Sequence, residues 1–127
     1  MNISPNQLEK IKIISAFRKY TRLGLANDRL SPFDAYDRIR GVSKSYEESL
    51  DLLAVYDTLR MLKLSGKSDV IAAVYAIYFD AINRKPKKNE ISLKIIRYAY
   101  EIHCDERTVY RQLKYARKLY KLLRSNM

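Results

Sequence analysis

What this chain of 127 residues lacks narrows the reading first: it has one cysteine, one histidine, three glycines and three prolines. A single cysteine forms no intrachain disulfide, and that usage suits a reducing cytoplasm. One histidine, one cysteine and no glycine-rich phosphate loop leave no recognisable nucleophile–base set, so no enzyme is expected. Cys104 has only His103 beside it, too little for a metal site, and no cofactor is expected. It reads instead as a small buried hydrophobe. No stretch approaches the length of a membrane span, and no signal-type hydrophobic run opens the chain. A soluble cytoplasmic protein without a membrane partner is expected. With so few backbone breakers among many Leu, Ile, Ala, Lys and Arg, the composition favours helix.

Acidic residues are scarce relative to basic ones, 14 against 25, for a net charge of +11. Residues 84–127 hold 13 Lys/Arg against 4 Asp/Glu, a net +9, whereas residues 1–83 hold 12 against 10, a net +2. A basic end on a nearly neutral body points to a polyanionic partner. Hydrophobic residues make up 47%, enough for a real core.

Serine-led capping signals divide the chain. Ser4-Pro5-Asn6-Gln7 starts a helix whose inward stripe is Leu8, Ile11, Ile14 and Phe17, continued by Tyr20 or Leu25, with Lys10, Lys12, Arg18, Lys19 and Arg22 mostly off it. Ser31-Pro32, with Asp34 three residues on, predicts a short helix to about Arg40 that ends at a left-handed Gly41 and buries Phe33, Tyr36 and Ile39. Ser45-Tyr46-Glu47-Glu48 opens a third helix reaching Gly66. Its broad apolar side (Leu50, Leu52, Leu53, Val55, Leu59, Met61, Leu62) suits the core or a homodimer interface. Ser68 is expected to cap a fourth helix, Asp69 to about Ile82. Arg84, Lys85, Lys87 and Lys88 then form a basic loop around Pro86, suited to DNA backbone contact or to solvation alone.

The most informative stretch is Glu90–Arg124. One helix is predicted from about Glu90 to Ile102, with Ile91, Ile95, Ala99 and Ile102 on one face and Ala99 as the small residue where two helices cross. A tight turn at His103-Cys104-Asp105 follows, with Asp105 as N-cap. Val109, Leu113, Ala116, Tyr120 and Leu123 then recur at steps of four, three, four and three, one inward stripe. Arg107, Arg111, Lys114 and Lys118 lie opposite. This is the pattern of a helix-turn-helix that lays its second helix in a DNA groove. Arg107, Thr108, Arg111 and Gln112 are the candidates for base readout, since the first turns of such a helix reach base edges. Lys114, Tyr115 and Lys118, with Lys121, are candidates for backbone contact or for plain solvation. Leu119, Leu122 and Leu123 would pack on the N-terminal helices or on a second copy. The expected architecture is all-α, about six helices. Residues 1–66 form a helical support or dimerisation region and residues 67–127 the DNA-binding region, as two parts or as one compact domain.

The run Asp105-Glu106-Arg107-Thr108-Val109-Tyr110-Arg111, followed by Ala116-Arg117-Lys118-Leu119, resembles a recognition-helix signature of sigma-factor region four and of small phage-encoded regulators. The family it most resembles is the ArpU/RinA-like group of phage late-gene regulators, over roughly Asp69 to Arg124. Two positions depart from that pattern: Arg97-Tyr98-Ala99 keeps only its alanine, and His103-Cys104 replaces a polar–Ile pair. The resemblance implies control of phage or prophage genes by promoter binding in a bacterial host cell, with double-stranded DNA as partner and RNA polymerase as a further one. Two other functions stay open. A DNA-packaging adaptor like a small terminase subunit would form ring-sized assemblies, although its DNA-binding unit usually comes first. A helical module that binds and inhibits a host enzyme would show no salt-sensitive DNA binding.

Overall fold

The computed structural model describes residues 3–26, 30–79 and 89–127. Among these the protein is all-α: α1 Pro5–Arg22, α2 Pro32–Val42, α3 Tyr46–Leu64, α4 Ser68–Ile77, α5 Glu90–Glu101 and α6 Glu106–Ser125. None of these helices is long and apolar enough to cross a membrane.

Local chemistry sets most of the helix ends. The Ser4 hydroxyl accepts the Gln7 N–H and Gln7 Oε1 accepts the Ser4 N–H, both at 3.2 Å, while Pro5 fills the first helical position. Ser31 and Ser45 likewise accept the N–H three residues on. At the other ends, α1 and α3 stop at Gly24 and Gly66, both with φ +71°. There the next two N–H groups turn back onto the last carbonyls: Lys67 donates to Leu62 at 2.9 Å and Gly66 to Lys63 at 3.2 Å.

Several expected details are corrected. Ser68 does not cap α4; Lys67 holds that position with no side-chain bond. The Lys67 carbonyl accepts the Ile71 N–H at 3.2 Å, so α4 already begins at Ser68 and Ser68 lies inside its first turn. Gly41 does not end α2, which runs on to Val42 and closes with the Ser43 N–H on the Ile39 carbonyl at 3.0 Å. α2 is also rotated from expectation. Ala35 and Ile39 face the core while Phe33 is 79% exposed, and the outward Tyr36 hydroxyl donates to Asp57 at 3.3 Å. In α1, Leu8 and Ile11 are exposed, because steps of three drift around the helix and carry them to the side away from Ile13, Phe17 and Tyr20, while Asn6, Glu9 and Lys10 turn toward α6.

The core centres on Phe17, which has no exposed surface. Its ring lies 5.6 Å from Tyr78 of the α4 end, 5.7 Å from Tyr120 of α6 and 6.1 Å from Phe79. α6 packs on α1, α3, α4 and α5 and is the hub of the bundle. α3 supplies buried Leu52, Ala54, Val55 and Leu62, and its one buried polar side chain, Thr58, donates to the Ala54 carbonyl at 2.6 Å. The second half of α6 therefore packs on the chain's own helices. Arg124 donates to Asp51 at 2.9 Å and to Glu47 at 2.7 Å on α3, and Lys121 pairs with Glu9 on α1 at 3.1 Å. Leu122 nevertheless stays exposed and Leu123 half-buried.

Candidate nucleic-acid interface

α5 leads into α6 through a four-residue turn. Ile95 and Ala99 are buried and Ile91 is half-buried, as the spacing predicts. Ile102 is not: it is exposed. α5 ends at Glu101, and His103 adopts a left-handed φ of +56°, which reverses the chain. The Cys104 N–H then closes on the Ala99 carbonyl at 3.0 Å, and Cys104 rather than Ile102 packs against the core. Asp105 caps α6 by accepting the Arg107 N–H at 3.0 Å.

Along α6, Val109, Leu113, Ala116 and Tyr120 are buried, and Arg107, Arg111, Lys114 and Lys118 are exposed. Lys121 extends the exposed row. At 1.5 Å per residue, the row from Arg107 to Lys121 is about 21 Å long. Thr108 is exposed beside it.

Two flanking positions are engaged by residues at the start of α4, Asp69 and the N-cap Lys67. Gln112 does not point outward with the other readout candidates. It is half-buried, and its Nε2 donates to Asp69 Oδ2 at 3.2 Å. The reason is angular: Gln112 lies nearer the buried stripe than the cationic row. Tyr115 is exposed, with Lys67 Nζ 5.7 Å from its ring centre, a cation–π distance. Arg84, Lys85, Lys87 and Lys88 lie outside the described residues.

On its other flank, α6 meets α1 in a cleft of about 420 Å³. Asn6, Glu9, Lys10 and Ile13 line one wall, and Lys114, Arg117, Lys118 and Lys121 the other. Half-buried Arg117 donates through Nη1 to the hydroxyl of fully buried Tyr78 at 2.7 Å, which fixes its guanidinium at the base of this wall. Partial burial, and next the charge of Arg117, hold the Lys10 ammonium below its usual pKa. Burial also pushes the Tyr78 hydroxyl up, opposed by Arg117. The stripe read from the sequence leaves Lys10 off the inward side of α1. One signal was present: Lys10 lies three and seven residues before Ile13 and Phe17, on the side of α1 that turns inward.

Among the described residues no group of three or more His, Cys, Asp or Glu side chains is placed to hold a metal ion. No family model matches the chain, and no curated protein and no solved structure is similar to it.

Proposed function

We propose that the protein binds double-stranded DNA and acts as a sequence-specific transcriptional regulator of the phage or prophage kind, a binding protein rather than an enzyme. One observation carries the reading. The helix that follows the tight turn exposes an unbroken cationic row on the side opposite its buried stripe. Such a row suits phosphates along its length and base edges at its first turns, where Arg can bond guanine bidentately. Arg107, Thr108 and Arg111 are the readers in this proposal; Gln112 is given to Asp69 instead. Lys114 and Lys118 serve the backbone.

The test is selection of bound fragments from a genomic DNA pool, repeated with Arg107→Ala and Arg111→Ala. The wild type should enrich a defined site, and each variant should lose preference at one or two positions, at about 1–3 kcal/mol per lost base contact. A wild type that enriches no site at moderate salt refutes the proposal.

A second reading has its own support. Leu93, Ile96 and Tyr100 recur at helical spacing on α5 and are all exposed, Tyr100 to 81%. An apolar row of that kind suits a protein partner, as a host-enzyme inhibitor would need. Under this reading the wild type shows no salt-sensitive DNA affinity.

A further inference from the structure

We infer that the cleft between α1 and α6 is a binding site for the DNA backbone, in which Lys10 and Arg117 close on a phosphate that the cationic row of α6 alone would not hold. The inference rests on the DNA-binding reading and extends it to the N-terminal helix.

Lys10, Lys114, Arg117, Lys118 and Lys121 line the cleft against a single carboxylate, Glu9, which Lys121 occupies at 3.1 Å. Among the described residues, Lys10, Lys114, Arg117 and Lys118 have no carboxylate within ion-pair distance. Elsewhere on the same two helices some cations are matched, Lys19 with Glu48 at 2.9 Å and Arg124 with Asp51 and Glu47, while Lys12, Arg22, Arg107 and Arg111 are not, among the described residues. What sets the cleft apart is that unmatched cations of two helices line the same space.

The two walls belong to different helices, so a group seated between them is approached from two sides. Arg117 is fixed by its bond to Tyr78, and a guanidinium held in place loses less freedom on meeting a phosphate. Lys10 supplies a mobile ammonium across from it. Partial desolvation of Lys10 beside another cation means that an incoming anion relieves a repulsion already present.

Its location selects the phosphodiester chain as occupant. Lys114 and Lys118 belong both to the cleft wall and to the outward row that starts at Arg107. A duplex read by Arg107 and Arg111 would carry its backbone along that row toward the cleft. Contacts to phosphates fix the register of such a duplex without reading its sequence.

The test is a titration of a selected duplex by fluorescence anisotropy over a range of KCl concentrations. It compares wild type, Lys10→Gln, Lys10→Arg and Lys12→Gln, with circular dichroism to confirm folding. Lys10 and Lys12 are both exposed, so neither change removes core packing, and Lys12 does not line this cleft. Lys10→Gln should lower the magnitude of the log–log salt slope by about one and weaken binding several-fold at about 0.1 M salt. Lys10→Arg should keep the wild-type slope, Lys12→Gln should leave it unchanged, and the preferred sequence should stay the same throughout. Equal losses for Lys10→Gln and Lys12→Gln would show only diffuse attraction and overturn the inference. So would a Lys10→Gln slope equal to wild type. In both cases the DNA-binding reading survives if Arg107→Ala still loses site preference. A wild type without salt-dependent affinity overturns both.

Discussion

Replacing Phe17 with alanine tests whether the bundle is joined as the structure describes. Phe17 is fully buried and its ring touches three others, from the ends of α4 and from α6, at 5.6–6.1 Å. A buried Phe→Ala change costs about 3–5 kcal/mol through lost transfer energy and the cavity left behind. Aromatic pairs add about 0.5–1.5 kcal/mol each, partly counted in that range already. A loss of about 4 kcal/mol is therefore expected, a large share of the roughly 5–15 kcal/mol that stabilises a domain. In urea unfolding followed by far-ultraviolet circular dichroism, an m-value of about 1.5 kcal/mol/M would move the midpoint down by about 2.5 M. Phe17→Leu keeps most of the volume and should cost about 1–1.5 kcal/mol. A Phe17→Ala loss under about 1.5 kcal/mol would refute the reasoning, because a ring at the meeting point of three elements cannot be removed that cheaply. It would also undercut the placement of Lys10, since the Phe17–Tyr120 contact helps hold α1 beside α6.

Arg124→Ala should cost about 1 kcal/mol, a partly exposed pair's worth, and less at about 1 M NaCl; a double-mutant cycle with Asp51→Asn that shows no coupling would contradict the 2.9 Å contact. Burial holds the Asp57 carboxyl above its ordinary pKa, outweighing the bond it accepts from Tyr36, so the folded state binds this proton more tightly than the unfolded state does. The charged form is thus a penalty at pH 7, and Asp57→Asn should raise the melting temperature there. That gain should fade as pH falls through the folded-state pKa toward the unfolded value of 3.8; a gain unchanged at pH 3 counts against burial as its cause. Gln112→Ala should lower stability by about 1 kcal/mol by removing its bond to Asp69, while the selected DNA site stays the same; an altered site would mean that Gln112 leaves Asp69 for a base.

The helices themselves were legible because their signals are local. Ser4, Ser31, Ser45 and Asp105 cap where a short polar side chain precedes a periodic run, and the stripe Val109, Leu113, Ala116, Tyr120 is buried as its spacing requires. Rotation was not legible. Periodicity assigns Leu8, Ile11, Phe33 and Tyr36 to an apolar side, but only the neighbouring helices decide whether that side is covered. The left-handed turn residue was hidden because histidine stands where glycine would have announced it. Of the proposed site, the cationic row could be read from the helical repeat. The cleft could not, since it needs α1 to cross α6 at a distance of about a hundred residues along the chain. Gln112 was misassigned because residue type suggested a base reader, whereas its angle on the helix turns it toward α4.

Apart from the Lys121–Glu9 pair, the cationic row carries a cost without a matching contact in the fold. Arg107–Arg111, Arg111–Lys114, Lys114–Lys118 and Lys118–Lys121 are like-charge neighbours three or four residues apart. Each such pair destabilises a helix by about 0.2–0.5 kcal/mol, so the row weighs about 1–2 kcal/mol against folding. Only Lys121 has an acidic partner among the described residues. Nothing in the packing demands these charges, because α6 is held through the opposite stripe and through Arg124. Glutamates in place of Arg111 and Lys118 would relieve the repulsion and leave every buried contact in place. Binding to DNA, as proposed, accounts for such a feature, because a line of phosphates along the row would offset its repulsion.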